Sequence, residues 1–366
     1  MKKKIVFILN TVQDPRCYKR INEFRQNGYE VSAYGFSRET STCVNFDHIN
    51  IEILGCYSNT LSYFKRSFKI ISSLYGLFNK YRGADVIYYY LGLDIAFFSL
   101  IIAPRNCFIY EEADLTYTYM KNSLIRKCFK KIDEFAIKRS IHTVFTSEGF
   151  VQYHFRKISP KNISVIPNRL NEKILSLKIL PKNPINIDKI KFAFVGAVRF
   201  RSVYNFARML LKYFPHHEIH FYGYIMDNVR KQYDELKAFP NIFFHGSFKN
   251  PDDLPLIYSE IDMVLATYDS EFENVKYAEP NKVYESIYFE TPIIVTQGTF
   301  LAEKVNSLNI GYAIDPLDDQ ALVKFIRSLS ALDIEQKIRA CQLIGKKYCV
   351  SVNKDFFLKI KEIVNN

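Results

Sequence analysis

The chain has 366 residues, 48% of them apolar, with 26 Tyr, 31 Phe and no Trp, and its 50 Lys+Arg against 38 Asp+Glu give a net charge of +12. Such a length suits two domains of roughly 150–180 residues, and the apolar share excludes a disordered chain. No stretch of about 18 apolar residues without charge occurs, so no transmembrane helix is expected.

The first apolar run, Ile5 to Leu9, is shorter than the roughly 7–15 residues of a signal core and lacks a small-residue cleavage site, so it is expected to be a buried strand. Further strands are expected at 30–34, 49–54, 85–90, 107–111, 143–146 and 163–166. A helix is expected from Pro15 to Gln26, stopped by Asn27-Gly28. Between 61 and 82, apolar residues recur at 61, 64, 68, 71, 74 and 78 beside Lys65, Arg66 and Lys69. This spacing predicts an amphipathic helix, either covering a sheet or lying at a membrane interface. A second basic cluster is Lys121, Arg126, Lys127, Lys130 and Lys131.

The stretch 167–186, with Pro167, Pro181 and Pro184, reads as a linker. The pattern restarts with strands at 191–195, 218–222, 242–245, 263–266 and 292–296. Helices fall near 204–213, 229–238, 252–259 and 281–289. Short apolar runs alternating with amphipathic stretches indicate βαβ units around parallel sheets, hence an α/β chain. The expected division is 1–170, a linker at 171–189, 190–350, and a C-terminal helix in 351–366 packing back on the first domain. Ligands of such sheets bind at the strand carboxyl ends.

Charge is uneven. Residues 1–170 hold 25 basic and 14 acidic residues, whereas 171–366 hold 25 and 24. The first half is therefore expected to face something anionic, unless its charge serves solubility alone. The seven scattered cysteines form no C-x-x-C pair, which indicates neither a zinc site nor a disulfide framework and fits a reducing cytoplasm.

Two segments carry chemistry. After the strand 191–195 come Gly196, Arg199 and Arg201. A glycine there permits a sharp turn and close ligand approach, the following helix N-terminus offers N–H groups to an anion, and the arginines offer fork-like donors. The second is Tyr277-Ala278-Glu279-Pro280-Asn281-Lys282-Val283-Tyr284-Glu285, running on to Val295. Pro280 suits the first helical turn, with Asn281 and Lys282 at the helix start. A lysine there is unfavourable unless an anion joins it, and Glu285 shares its face at i+3. The alternative is a Lys–Glu surface pair.

The stretch PNKVYESIYFETPIIV resembles the donor-site helix of GT-B glycosyltransferases, in particular the retaining family 4 enzymes of capsule, lipopolysaccharide and exopolysaccharide synthesis. FAFVGAVRFRSVYNFARML resembles the glycine–arginine loop of their second domain, and DPRCYKRINEFRQNGYEV, ADVIYYYLGLD, FIYEEADL and ISVIPN resemble segments of the first. The resemblance implies two Rossmann-like doubly wound domains facing across a cleft. It implies transfer of a sugar from a nucleotide diphosphate donor to a glycan or polyprenyl-diphosphate-linked acceptor, with retention, no cofactor and no metal. Arg199, Lys282 and Glu285 are its expected catalytic residues, Glu285 as the ribose-binding glutamate. Gly196, Arg201, Gly223, Gly246, Ser247, Phe248 and Asn281 join Glu285 in donor binding. Localisation is expected to be cytoplasmic, peripheral at an anionic membrane surface, with no nucleic acid bound. The pattern is departed from at Tyr277, where a first glutamate often stands, with Glu279 and Glu273 nearby. It is departed from again at Ala113, where a histidine is common, leaving Glu111, Glu112 or Asp114 for polar contacts. The first loop also lacks glycines. A sugar-nucleotide 2-epimerase and a non-catalytic sugar-nucleotide-binding protein are the alternatives.

Overall fold

The computed structural model describes residues 4–37, 44–46, 49–57, 63–155, 160–351 and 353–365. They form two units, one of residues 1–167 with 353–366 and one of 168–352.

The first unit holds eight strands: β1 (Lys4–Leu9), β2 (Val31–Ser37), β3 (Val44–Phe46), β4 (Ile49–Cys56), β5 (Val86–Leu91), β6 (Phe108–Glu112), β7 (His142–Phe145) and β8 (Ile163–Val165). Their order is β3-β4-β2-β1-β5-β6-β7-β8, parallel except for β3 at the edge. The centre of this sheet is β1, whose Ile5 to Leu9 are fully buried, as a parallel strand covered on both faces requires. Helix Pro15–Gln26 starts where Asp14 accepts the Arg16 N–H, and Gly28 lies beyond its end at φ 78°. Helix Lys354–Asn365 belongs to this unit, with Phe356 and Phe357 packed edge-on against Phe24 at 5.9 and 5.1 Å.

Within 61–82 the helix runs Tyr63–Lys80, and Leu61 lies outside the described residues. Its buried stripe is Ile70, Leu74, Leu77 and Phe78, whereas Phe68, expected on that stripe, is 65% exposed beside exposed Lys65 and Lys69. At 3.6 residues per turn Phe68 points away from the face shared by Ile70, Leu74 and Leu77, so the covered face begins at Ile70.

The second unit is a six-stranded, all-parallel sheet of β9 (Lys191–Val195), β10 (Glu218–Tyr222), β11 (Ile242–Gly246), β12 (Met263–Ala266), β13 (Ile293–Thr296) and β14 (Gly311–Ile314), in the order β11-β10-β9-β12-β13-β14. Alternate residues divide between two cores. Ala193, Val195, Val264 and Val295 face one, and Phe192, Phe194, Leu265 and Ile294 face the other, so both faces are covered. Residues 171–189, read above as a linker, contribute to this unit. Ile174 is fully buried, its carbonyl accepts the Tyr288 hydroxyl at 3.0 Å, and Lys182 hydrogen-bonds Thr291. A proline-rich composition hides these anchors because each is a tertiary contact.

Acid should weaken the second unit. His217 is 4% exposed, and its Nδ1 accepts the Ile190 N–H at 3.1 Å, which requires a neutral ring. Burial pushes it down to about 4. Below about pH 6.5 the unfolded chain takes up a proton that the folded one refuses, so stability falls from there toward pH 4. A loss of about 1–3 kcal/mol is expected, read as the drop in urea midpoint between pH 7 and pH 5. It should shrink in His217→Asn, whose amide oxygen can take the same N–H.

Candidate functional site

In a parallel sheet all strands end at one edge, and three glycines of the second unit lie there. Gly196 follows β9, Gly223 follows β10, and Gly246 ends β11, at φ 140°, 137° and 77°. The Gly196 N–H donates to Tyr222 O, and the Gly223 N–H to Gly246 O, both at 2.7 Å. The backbones approach so closely that a Cβ on Gly223 would lie 1.9 Å from Gly196 O. No side chain fits between them, and the edge stays open to an approaching ligand.

Helix Lys282–Tyr288 begins at the same edge, with the Lys282 Cε 4.0 Å from where a Gly196 Cβ would be. Lys282 is 6% exposed and Glu285 is 0% exposed. The Lys282 Nζ donates to both Glu285 oxygens at 2.8 and 3.0 Å, and the Tyr258 hydroxyl donates to Glu285 Oε2 at 2.7 Å. This pair is not a surface pair. The lysine that looked misplaced at a helix start is neutralised by the carboxylate of its own turn. Asn281 precedes it in helical geometry, and its side chain makes no capping bond.

Arg199 is exposed and lies over the Phe200 ring at 5.0 Å. The Tyr268 ring is tilted against Phe200 with centroids 4.6 Å apart, and its hydroxyl feels both charges: burial and then Glu285 raise it, while Arg199 lowers it. Of the three residues expected to be catalytic, Lys282 and Glu285 are in contact, and Arg199 and Glu285 act in opposite directions on the Tyr268 hydroxyl. Gly246 and Ser247 are exposed, and Phe248 packs against the core under the helix. His245 stacks on Tyr222 at 4.1 Å and meets His220 Nδ1 at 3.0 Å, giving an aromatic ledge at the ends of β10 and β11.

One expectation is corrected. The N-terminus of helix Arg201–Tyr213 is not open to an anion: Asp269 accepts the Arg201 and Ser202 N–H groups at 3.1 and 2.9 Å. A carboxylate from the β12 loop already occupies the position a phosphate would need, leaving the exposed Arg201 side chain as that residue's contribution. Asp269→Ala should lower the unfolding free energy by about 1 kcal/mol, and Asp269→Asn by less, measured in urea.

Tyr258, Tyr268 and Asp269 were not legible as site residues. The sole signal at 268–269 is a polar pair that follows the buried strand β12 after Thr267. Glu279 is 5% exposed and hydrogen-bonded by Tyr284 and Lys304, so it is engaged inside the unit. Tyr277 and Glu273 lie on the short helix Glu273–Tyr277.

In the first unit the three acids at and just past the end of β6 divide. Glu111 is buried against Arg20 at 2.9 Å and takes the Tyr89 hydroxyl. Glu112 is buried against His154 at 3.0 Å. Asp114, more exposed, pairs with Arg16 at 3.1 Å, and Arg16 also holds Asp14 at 2.7 Å. Asp114 and Arg16 therefore lie at the strand carboxyl edge of this sheet. Burial pushes Glu112 up to about 8 and Asp133, next to it, well above the carboxylate range.

The chain is similar to the succinoglycan biosynthesis protein ExoL of Rhizobium meliloti (strain 1021), 23% identical over 250 residues, which is 64% of this chain and 61% of that one. It shares its fold with sucrose-phosphate synthase from Thermosynechococcus elongatus, at TM-score 0.72 and 12% identity over 100% of this chain and 98% of the other. It also shares it with Anabaena HepE in complex with UDP and glucose, at TM-score 0.70 and 12% identity over 98% and 100%. The fold is GT-B. The sequence profile of the glycosyl transferases group 1 matches residues 157–342, just over half of the chain, and the protein belongs to that family.

Proposed function

We propose that the protein transfers a sugar from a nucleoside diphosphate donor to a glycan or lipid-linked acceptor in polysaccharide synthesis, with retention and without a metal in the reaction. The observation that carries this reading is the buried Lys282–Glu285 pair beside Gly196 at the strand edge. Donor binding would move the Lys282 ammonium from Glu285 to the diphosphate. Glu285, still held by Tyr258, would then accept the ribose hydroxyls through vacated lone pairs. Arg199 supplies a second cation from the exposed side. As the bond from the anomeric carbon to the diphosphate oxygen breaks, negative charge grows on the leaving group, where fixed cations lower the barrier most. The acceptor hydroxyl attacks from the same face, and its proton passes to a diphosphate oxygen.

Support for the donor class comes from HepE, whose structure holds UDP and glucose, and for the pathway from ExoL. Among the described residues no helix is long and apolar enough to cross a membrane. The acceptor side rests on the first unit, where exposed Phe68, Leu124 and Ile125 lie among Lys65, Lys69, Arg126 and Lys127, as a peripheral helix at an anionic bilayer needs. The experiment is a thermal-shift series with UDP, GDP and ADP and their sugar conjugates, each with turnover measured in EDTA. At least one diphosphate should raise the midpoint by mass action. No shift with any of them would refute the reading.

A further inference from the structure

We propose that Glu112, Asp133 and His154 form a binding site for one zinc-type divalent cation inside the first unit. The three side chains come from three elements: the end of β6, the middle of helix Ser123–Arg139 and the end of helix Glu148–His154. They converge so that one ligand atom from each lies within 4.8 Å of the others. The His154 Nε2 is 3.0 Å from Glu112 Oε2 and 3.6 Å from Asp133 Oδ2. Two atoms bound tetrahedrally to zinc at about 2.0–2.2 Å are themselves about 3.4 Å apart, a spacing these two distances bracket.

All three side chains are at most 1% exposed. Asp133 Oδ2, turned toward His154, accepts no N–H or hydroxyl, and with the Glu112 carboxyl beside it the pair needs a shared proton or a cation. The other oxygen, Oδ1, accepts the Tyr110 hydroxyl at 2.8 Å, the outer bond that orients a metal-binding carboxylate. Aromatic rings wall the imidazole, Tyr153 at 5.1 Å and Phe145 and Phe155 at 6.0 Å. One imidazole with two carboxylates suits zinc better than magnesium or calcium, which take oxygen alone. The residues belong to the first unit, where the ion would brace a strand and two helices.

The test strips the full chain with EDTA, dialyses it, and adds Zn²⁺ or Co²⁺. The expected result is one zinc per chain, a raised thermal midpoint and a visible d–d band with cobalt. Asp133→Asn and His154→Gln should weaken zinc binding by about 100-fold or more. Should those variants fold poorly, hydrogen exchange of the wild type decides, with helices Ser123–Arg139 and Glu148–His154 slowed by zinc. Absence of metal uptake, uptake unchanged in folded variants, or exchange unaltered by zinc would each overturn the proposal.

Discussion

Lys282→Met should cut sugar transfer by about 10²–10³ in kcat and lower the unfolding free energy by about 3–5 kcal/mol. The two losses have different origins. The stability loss arises because Glu285, 0% exposed, is left without its cation and retains only the Tyr258 hydroxyl among these partners. The activity loss arises because a cation aimed at the leaving diphosphate is gone. Adding Glu285→Gln separates them. The double variant removes both buried charges and should regain most of the stability while remaining inactive. Glu285→Gln alone should mainly raise the KM for donor, since the amide still accepts one hydroxyl. Urea midpoints and donor kinetics on the four proteins complete the cycle. If the double variant transfers sugar normally, the pair is a structural ion pair and no more.

Gly223→Ala carries the other large effect. Its methyl would stand 1.9 Å from Gly196 O at a residue with φ 137°, so both the contact and the backbone oppose it. A loss of about 3 kcal/mol or more is expected, together with weakened nucleotide binding, because relief of the clash displaces Gly196 and the adjacent Lys282. Gly246→Ala is the control. Nothing lies within 4 Å of its Cβ, and φ is 77°, so only the left-handed penalty of about 1–2 kcal/mol applies. Equal losses at the two positions would show that close approach at Gly223 is not what holds the edge together.

The contrast between these glycines marks what a one-dimensional reading reaches. Strands such as β9 and β12 are continuous apolar runs buried on both faces, and their spans matched expectation residue for residue. Strand β14, GYAI, holds four residues with two of the smallest side chains, and its place at the sheet edge comes from pairing with β13. Lys282 and Glu285 were legible because i and i+3 on a helix share a face whatever the tertiary structure. That Glu285 is wholly buried, or that Tyr258 lies against it, depends on packing between elements 27 residues apart. With 26 tyrosines in the chain, none stands out by type alone. Asp269 and the Glu112–Asp133–His154 group are similar cases: single polar residues on separate elements, joined only by the fold. The anion site expected at Arg201 was the reverse error, since a helix start predicts exposed N–H groups but not the aspartate that reaches it from the next strand.

Calorimetric titration of the full chain with UDP, run beside the Lys282→Met/Glu285→Gln variant, addresses the donor site most directly. The account predicts one saturable site in the wild type and binding weakened by at least about tenfold in the folded variant, the loss of one charge-assisted contact. Equal affinity in the two proteins would place the nucleotide elsewhere and contradict the account.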